Sequence, residues 1–338
     1  MPNSNEETSL NEMFDGICQR ACTYLISVII PCHNESENIE PLYHRVQTVL
    51  EGMQQAWEII FINDGSSDDT LLRLLALREK DKRVTVINLS RNFGKEAALT
   101  SGLDHANGDV AVPLDADLQD PPELIPELFA KFLEGYDVIN AIRNKRLGES
   151  YTKRLSSYLY YRLLDKISNV PIPHDTGDYR MLSRRVLEAL KRMPERRRYM
   201  KGLFAWTGYR TTSIHYQREP RHAGQTGWTY WKLWHFAVEG ITSFSHVPLQ
   251  LASYLGLTIA LTSFIAAAYL VIDTLIYGNS VKGYPSLMVT VLFLGGVQLM
   301  ALGIIGEYIS RIYEESKNRP IYLVQDIWSS KIVTLQDE

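Results

Sequence analysis

The sequence predicts an α/β domain with a mostly parallel, helix-covered sheet, followed by a carboxyl-terminal hairpin of two transmembrane helices. Three features predict it. Short apolar runs alternate with helical patterns through the first part of the chain, two long uncharged stretches follow near the end, and oxygen-bearing side chains gather where the apolar runs stop. The 338 residues, 45% hydrophobic and 22% charged, suffice for a sizeable core and more than one structural unit. A formal charge of -4, with no Arg/Lys-rich arm interleaved with aromatics, excludes a general nucleic-acid binder.

Taken in order, residues 1–23 are expected to be a disordered tail, because the polar, acidic start from Met1 to Asp15 lacks the basic end and apolar centre of a secretory signal. The main domain is expected over residues 24–227. Its strands are predicted at Leu25–Ile30, Trp57–Ile62, Val84–Leu89, Val110–Leu114 and Asp137–Ala141, and their continuous apolar character implies helices on both sheet faces. The intervening helical patterns run over Glu35–Met53, Asp68–Lys80, Lys95–Ala106 and Pro121–Gly135. No G-x-G-x-x-G follows the first strand and no G-x-x-x-x-G-K-[ST] occurs, so glycine-built phosphate cradles are excluded. Cys18, Cys22 and Cys32 fit neither a disulfide framework nor a zinc quartet, which points to a reducing cytosolic compartment.

The membrane segments come next. Between Pro248 and Ile272, and again between Gly283 and Gly306, there is no Lys, Arg, Asp or Glu. Each stretch reaches the about 20 residues that a crossing helix needs. The spans are expected over residues 248–276 and 284–310, with Tyr277 and Tyr284 near the interfaces. Only Lys282 is basic in the connector, whereas Arg218, Arg221 and Lys232 precede the first span and Arg311, Lys317, Arg319 and Lys331 follow the second. That asymmetry places the main domain and a tail over residues 311–338 in the cytosol, so both termini are cytosolic. Ahead of the first span, residues 228–247 form an amphipathic pattern. As a helix they put Tyr230, Leu233, Ala237 and Phe244 on one side and Trp228, Trp231 and Trp234 on an adjacent stripe, suited to the headgroup layer or to packing on the soluble core.

The chemistry sits at the strand ends. Asp115-Ala116-Asp117-Leu118-Gln119 follows the fourth predicted strand, and open α/β sheets bind ligands at the carboxyl ends of their strands. Two carboxylates and an amide are hard oxygen donors, the kind that hold Mg²⁺ while waters and substrate phosphates complete its shell. Pro31-Cys32-His33-Asn34-Glu35 follows the first strand and Asn63-Asp64-Gly65-Ser66-Ser67-Asp68 the second. Each alone also reads as a turn before a helix. Three acidic strand ends in one parallel sheet converge on one edge, and a metal-bridged diphosphate is the ligand they suit.

Together with Ser90-Arg91-Asn92-Phe93-Gly94-Lys95, Asp120-Pro121-Pro122-Glu123, Asp175-Thr176-Gly177-Asp178-Tyr179-Arg180 and Arg218-x-x-Arg221-x-x-Gly224, these motifs resemble family 2 glycosyltransferases of the GT-A nucleotide-sugar-binding type. The chain is most similar to the membrane-anchored polyprenyl-phosphate glycosyltransferases, which include bactoprenol glucosyltransferases and dolichyl-phosphate mannose synthases. The resemblance implies that Pro31, Glu35 and Asp64, with Lys95, hold the nucleotide. It implies that Asp115, Asp117 and Gln119 hold Mg²⁺ or Mn²⁺ and the diphosphate, that Arg218 and Arg221 lie near the diphosphate, and that Arg143, Lys153 and Arg154 receive the acceptor phosphate. Asp175 is assigned to positioning acceptor or sugar, with Asp178 a comparable candidate and a base role as an alternative. One departure stands out: many relatives carry Lys after the Gly-Glu-Ser or Gly-Glu-Thr that matches Gly224-Gln225-Thr226, and this chain has Gly227.

The implied reaction is an inverting, metal-dependent transfer from a nucleotide sugar to a polyprenyl phosphate at the bilayer, with UDP-glucose the first donor expected. GDP-mannose and a modified UDP-pentose are rivals. A processive polysaccharide synthase is disfavoured because Gln-x-x-Arg-Trp is missing, and a noncatalytic nucleotide sensor would have no need of Asp117. Two-span relatives associate, so a homo-oligomer is expected.

Overall fold

The computed structural model describes residues 24–143, 176–217 except 194, 197 and 199, helical positions scattered between 254 and 276, and residues 283–329. The expected amino-terminal tail, the amphipathic segment 228–247 and most of the first span lie outside the described residues.

Eight strands form one sheet: β1 Leu25–Cys32, β2 Ala56–Asn63, β3 Val84–Leu89, β4 Val110–Pro113, β5 Val138–Arg143, β6 Thr176–Ser183, β7 Thr211–Tyr216 and β8 Val324–Trp328. Their order across the sheet is β7-β5-β6-β4-β1-β2-β3-β8. The pairs β1–β2, β2–β3, β1–β4 and β5–β7 are parallel. Only β6 and β8 run against the rest among the described strands. The sheet is mostly parallel, as expected. The chain builds outward from β1 to β3, then returns to place β4 on the other side of β1. That reversal opens a crevice beyond the carboxyl ends of β1 and β4.

Period-2 alternation explains the layers. Val28, Ile30, Ile59, Phe61, Val86 and Val112 point to one face, against helices α1 (Ile39–Gly52), α2 (Thr70–Lys80) and α4 (Ile125–Leu133). Ile29, Ile60, Ile62, Ile87 and Leu182 point to the other, against α3 (Lys95–His105), α5 (Arg184–Lys191) and α6 (Met200–Trp206). Both faces are therefore dry, and burying them is the main driving term of the fold.

The last described helix, α7, runs over Tyr284–Ser316, 33 residues, or about 50 Å at 1.5 Å per residue. Its segment Phe293–Ser316 is long and apolar enough to cross a membrane, with a mean hydropathy of 1.4. Leu299, Met300, Leu302 and Ile312 on it are exposed, an apolar surface that no described part of the protein covers. The described positions of the expected first span, among them 254, 256–259 and 276, are all helical.

Beyond α7 the chain does not remain a tail. Strand β8 pairs antiparallel with β3, Val324 opposite Leu89 at the carboxyl end of β3. The Ser90 N–H donates to the Leu323 carbonyl at 3.0 Å, and the Tyr322 hydroxyl donates to Asp104 at 2.9 Å.

Candidate active site

Asp64 follows β2 and is buried. Its carboxylate accepts the backbone N–H of Phe93 at 2.7 Å and of Gly94 at 3.0 Å. It thereby fixes the turn that begins α3. Gly65 has φ +61°, and a Cβ there would lie 2.4 Å from the Asn92 nitrogen, so only glycine lets the two loops meet. Pro31 lies in β1 opposite Ile62 of β2. The Glu35 N–H donates to Thr70 Oγ1 at 3.0 Å, and its Oε2 accepts from Asn38 at 2.6 Å. Pro31, Glu35 and Asp64 thus share the carboxyl edge of the sheet. A carboxylate that accepts two N–H bonds keeps lone pairs for a ligand.

The acidic motif leaves the end of β4 in a bent turn. Leu118 is buried with φ +58°, a left-handed conformation that a branched side chain adopts at a cost of about 1–3 kcal/mol. The turn lets Asp117 Oδ1 accept the N–H of Gln119 at 3.2 Å. Strain of this kind persists where the surroundings over-determine a functional geometry.

Lys95, the first residue of α3, reaches into the crevice. Its Nζ lies 2.6 Å from Asp115 Oδ1 and 2.6 Å from Asp178 Oδ2, the latter carried by β6. Burial pushes the Asp115 carboxyl up, and the Lys95 charge counters that. Burial would raise Asp178 too, but Lys95 and Lys201 draw it well below the usual carboxylate range. Beside them, burial first and the Asp178 charge second push Glu96 up to about 8. Arg180 is fully buried, donates to the Gly177 carbonyl at 2.7 Å and stacks on Phe204. It sets the backbone that carries Asp178.

A second cluster flanks the first. Asp120 is 1% exposed, and its carboxylate accepts the Tyr216 hydroxyl at 2.5 Å and the Arg143 guanidinium at 3.4 Å. Arg143 Nε also donates to the Tyr216 oxygen at 3.1 Å. Gly177 is the floor of this seat, since a Cβ there would lie 2.6 Å from Arg143 Nη2. Tyr179 completes it, donating to the Pro121 carbonyl at 2.8 Å.

The structure therefore brings together Pro31, Glu35, Asp64, Lys95, Asp115, Asp117 and Gln119 at one edge, with Arg143 at the same edge on β5, beyond β6. Asp175, Lys153, Arg154, Arg218 and Arg221 lie outside the described residues. Asp120, Tyr216, Glu96 and Lys201 were missed as site residues. Asp120 had a signal in its motif, whereas Tyr216, 96 positions away, had none.

The donor set fits a hard divalent cation. Asp115 and Asp117 offer oxygen alone, and a cationic ammonium already lies against Asp115. Among the described residues no group of three or more His, Cys, Asp or Glu converges to enclose a metal. Two carboxylates plus an amide, with substrate phosphates supplying the rest, is how Mg²⁺ is bound.

The chain is similar to known proteins in sequence. Residues 27–191 match the family described as glycosyl transferase family 2, and residues 247–312 match the GtrB C-terminal hairpin. An uncharacterized glycosyltransferase of Synechocystis sp. is 49% identical over 93% of this chain and 99% of its own length. The bactoprenol glucosyl transferase of Shigella phage SfV is 47% identical over 89% of this chain and 98% of its own length. A glucosyl-3-phosphoglycerate synthase from Mycobacterium tuberculosis, crystallised with Mn²⁺, UDP-glucose and phosphoglyceric acid, superposes with a TM-score of 0.43 at 21% identity, covering 64% of this chain and 77% of that one.

Proposed function

The chain belongs to glycosyl transferase family 2 and is a glycosyltransferase, and from that premise we propose that it transfers glucose from UDP-glucose to a polyprenyl phosphate with inversion, at the cytosolic face of a membrane. The relatives named bactoprenol glucosyl transferase, matched along nearly their whole length, support glucose as the sugar and a polyprenyl carrier as the acceptor. The observation that carries the reading is one of placement. The apolar helix α7 returns to the sheet at the carboxyl end of β3, on the same edge as Asp64, Asp115 and Asp117.

The donor lies across the crevice beyond β1 and β4, its base and ribose at Pro31, Glu35 and Asp64. Asp115, Asp117 and Gln119 would hold Mg²⁺ or Mn²⁺, which when bound neutralises the departing diphosphate as a Lewis acid. Arg218 and Arg221 add charge to the diphosphate, and Lys95 adds its own from the start of α3. Arg143, with Lys153 and Arg154, orients the acceptor phosphate. One oxygen of that phosphate attacks the anomeric carbon from the face opposite the diphosphate, a bond to carbon forms as the bond to the diphosphate breaks, and the nucleoside diphosphate leaves. A phosphate monoester has a second pKa of about 6, so the attacking oxygen is ionised near neutral pH and needs no dedicated base. Asp175 then positions acceptor or sugar. The two predicted spans keep both termini cytosolic, and holding enzyme and lipid in one thin layer raises the frequency of productive encounter.

The test uses the full chain in vesicles with polyprenyl phosphate, Mg²⁺ or Mn²⁺, and radiolabelled UDP-glucose or GDP-mannose. Label is expected in the organic phase from UDP-glucose with wild type and not with Asp117→Ala. Label from GDP-mannose alone would remove the donor assignment, and nucleotide binding with no transfer from either donor would remove the reaction.

A further inference from the structure

Among the described residues, the Lys95 side chain is held by two carboxylates. Its backbone is held from behind, because Asp64 accepts the N–H groups of Phe93 and Gly94 just before it. From that anchor the ammonium reaches Asp115 and Asp178 at equal distances of 2.6 Å. These carboxylates come from neighbouring regions, the turn after β4 and the strand β6 that pairs with β4. Without a cation between them, two negative groups would face each other across one N–O contact on either side, an arrangement that like charges resist. The other oxygen, Asp178 Oδ1, is buried and has no hydrogen-bond partner among the described residues. The ammonium therefore stands where positive charge is required, on an oxygen of the residue assigned to the metal.

We propose that Lys95 is the resident counter-cation of the metal site, holding Asp115 and Asp178 in the empty enzyme and giving up Asp115 when a divalent cation binds with the donor. This rests on the reading of Asp115 and Asp117 as the metal-holding pair. Lys95 is a positioning residue here, acting through Asp115. A metal arriving alone must break the Lys95–Asp115 contact with only two carboxylates and the Gln119 amide to reward it, so it binds weakly. A metal arriving with a nucleoside diphosphate gains the phosphate oxygens as well, and the displaced ammonium retains Asp178. Linkage makes the effect reciprocal: the metal strengthens nucleotide binding by the factor by which the nucleotide strengthens metal binding. Lys95 thereby suppresses metal-only occupancy and makes donor and metal load together.

The experiment measures Mn²⁺ binding to the full chain in nanodiscs by the loss of the free-ion paramagnetic resonance signal, with and without UDP. Lys95→Met is expected to bind Mn²⁺ about tenfold more tightly than wild type in the absence of nucleotide, and to show a smaller enhancement by UDP. Lys95→Arg, which keeps the charge, should resemble wild type. Asp178→Asn should shift the other way, because the ammonium is then undivided on Asp115. Thermal melting in a chelator verifies that each variant is folded, and if Lys95→Met does not fold, the opposite shift in Asp178→Asn carries the test. Wild type that binds Mn²⁺ with UDP while folded Lys95→Met binds it no more tightly, or Asp178→Asn that binds it no more weakly, overturns the inference alone. Wild type that binds no Mn²⁺ even with UDP removes the metal reading and this inference with it.

Discussion

Replacing Tyr216 by Phe tests the second cluster most directly, because it deletes one oxygen and leaves the ring. That oxygen donates to Asp120 at 2.5 Å and accepts from Arg143 at 3.1 Å. Asp120 is 1% exposed, so no bulk water replaces the lost donor, and an under-satisfied buried carboxylate costs about 1–3 kcal/mol. For a domain of this size each kcal/mol lowers the melting temperature by about 2–4 °C, so a fall of roughly 2–12 °C is expected. The guanidinium of Arg143 loses the hydroxyl that fixes its Nε. If that guanidinium grips the acceptor, KM for polyprenyl phosphate rises about tenfold, equivalent to about 1.4 kcal/mol, while donor KM hardly moves. Differential scanning fluorimetry and initial rates at varied acceptor supply both readouts, and Asp120→Asn in the same background gives the coupling. A melting point within about 1 °C of wild type would refute the energetic argument. Equal rises in both KM values would refute the assignment of this cluster to the acceptor side.

The other expectations follow the same logic. Gly177→Ala places a methyl 2.6 Å from Arg143 Nη2, so the side chain must swing away, and steady-state kinetics should show a higher acceptor KM with the protein still cooperatively folded. Asp117→Ala should reduce transfer at least about a hundredfold, since leaving-group neutralisation is among the largest electrostatic terms in such a step, as measured by label extraction. Glu96 has its folded pKa raised from 4.5 to about 8, so the folded state keeps a proton that the unfolded state releases. Its contribution is complete below about pH 4.5, declines as pH rises and is gone above about 8, and Glu96→Gln should flatten the melting temperature across that window. Ending the chain after Tyr322 removes β8 and bares the edge of β3, which should lower the melting temperature and increase light scattering on heating.

The sequence was most legible where local pattern and burial coincide. All five predicted strands exist because each is apolar on both faces, and their ends moved by only a few residues. The first predicted helix begins at Ile39 instead of Glu35 because Asn34, at φ +55°, and the Glu35–Asn38 turn use those residues to join the loop after β2. Strands β6, β7 and β8 were not visible. The strand β6 reads Thr-Gly-Asp-Tyr-Arg-Met-Leu-Ser, and its polar positions serve the site, so the alternation that marks a strand is overwritten by chemistry. On β7, Ile214 and Tyr216 are the buried residues, too few for a periodic signal. Pairing of β8 with β3 spans more than two hundred positions, and no local rule reports it. The acidic turn and Lys95 were found from their motifs. The contacts around them, Lys95 with Asp178 and Asp120 with Tyr216, depend on topology and were found only in three dimensions.

The path of the chain after α7 decides how the candidate site lies relative to the apolar helix. Between Ser316 and Val324 lie the residues Lys317–Leu323, which when fully extended reach at most about 25 Å. The edge strand of the sheet is thus confined close to the end of the apolar helix. Direction matters as much as distance. Because β8 is antiparallel to β3 and enters opposite Leu89, the tether arrives at the carboxyl ends of the parallel strands, where Asp64, Asp115 and Lys95 stand. A parallel β8 would have been entered from the opposite edge and turned the crevice away from the helix end. Neighbouring strands lie about 4.8 Å apart, so Arg143 on β5 is roughly 25 Å across the sheet from β3, on the far side of the acidic turn after β4 from the tether. On the proposed reading, a lipid phosphate reaching Arg143 would approach from the β5 side, opposite the loops after β2 and β3 that carry Asp64 and Lys95.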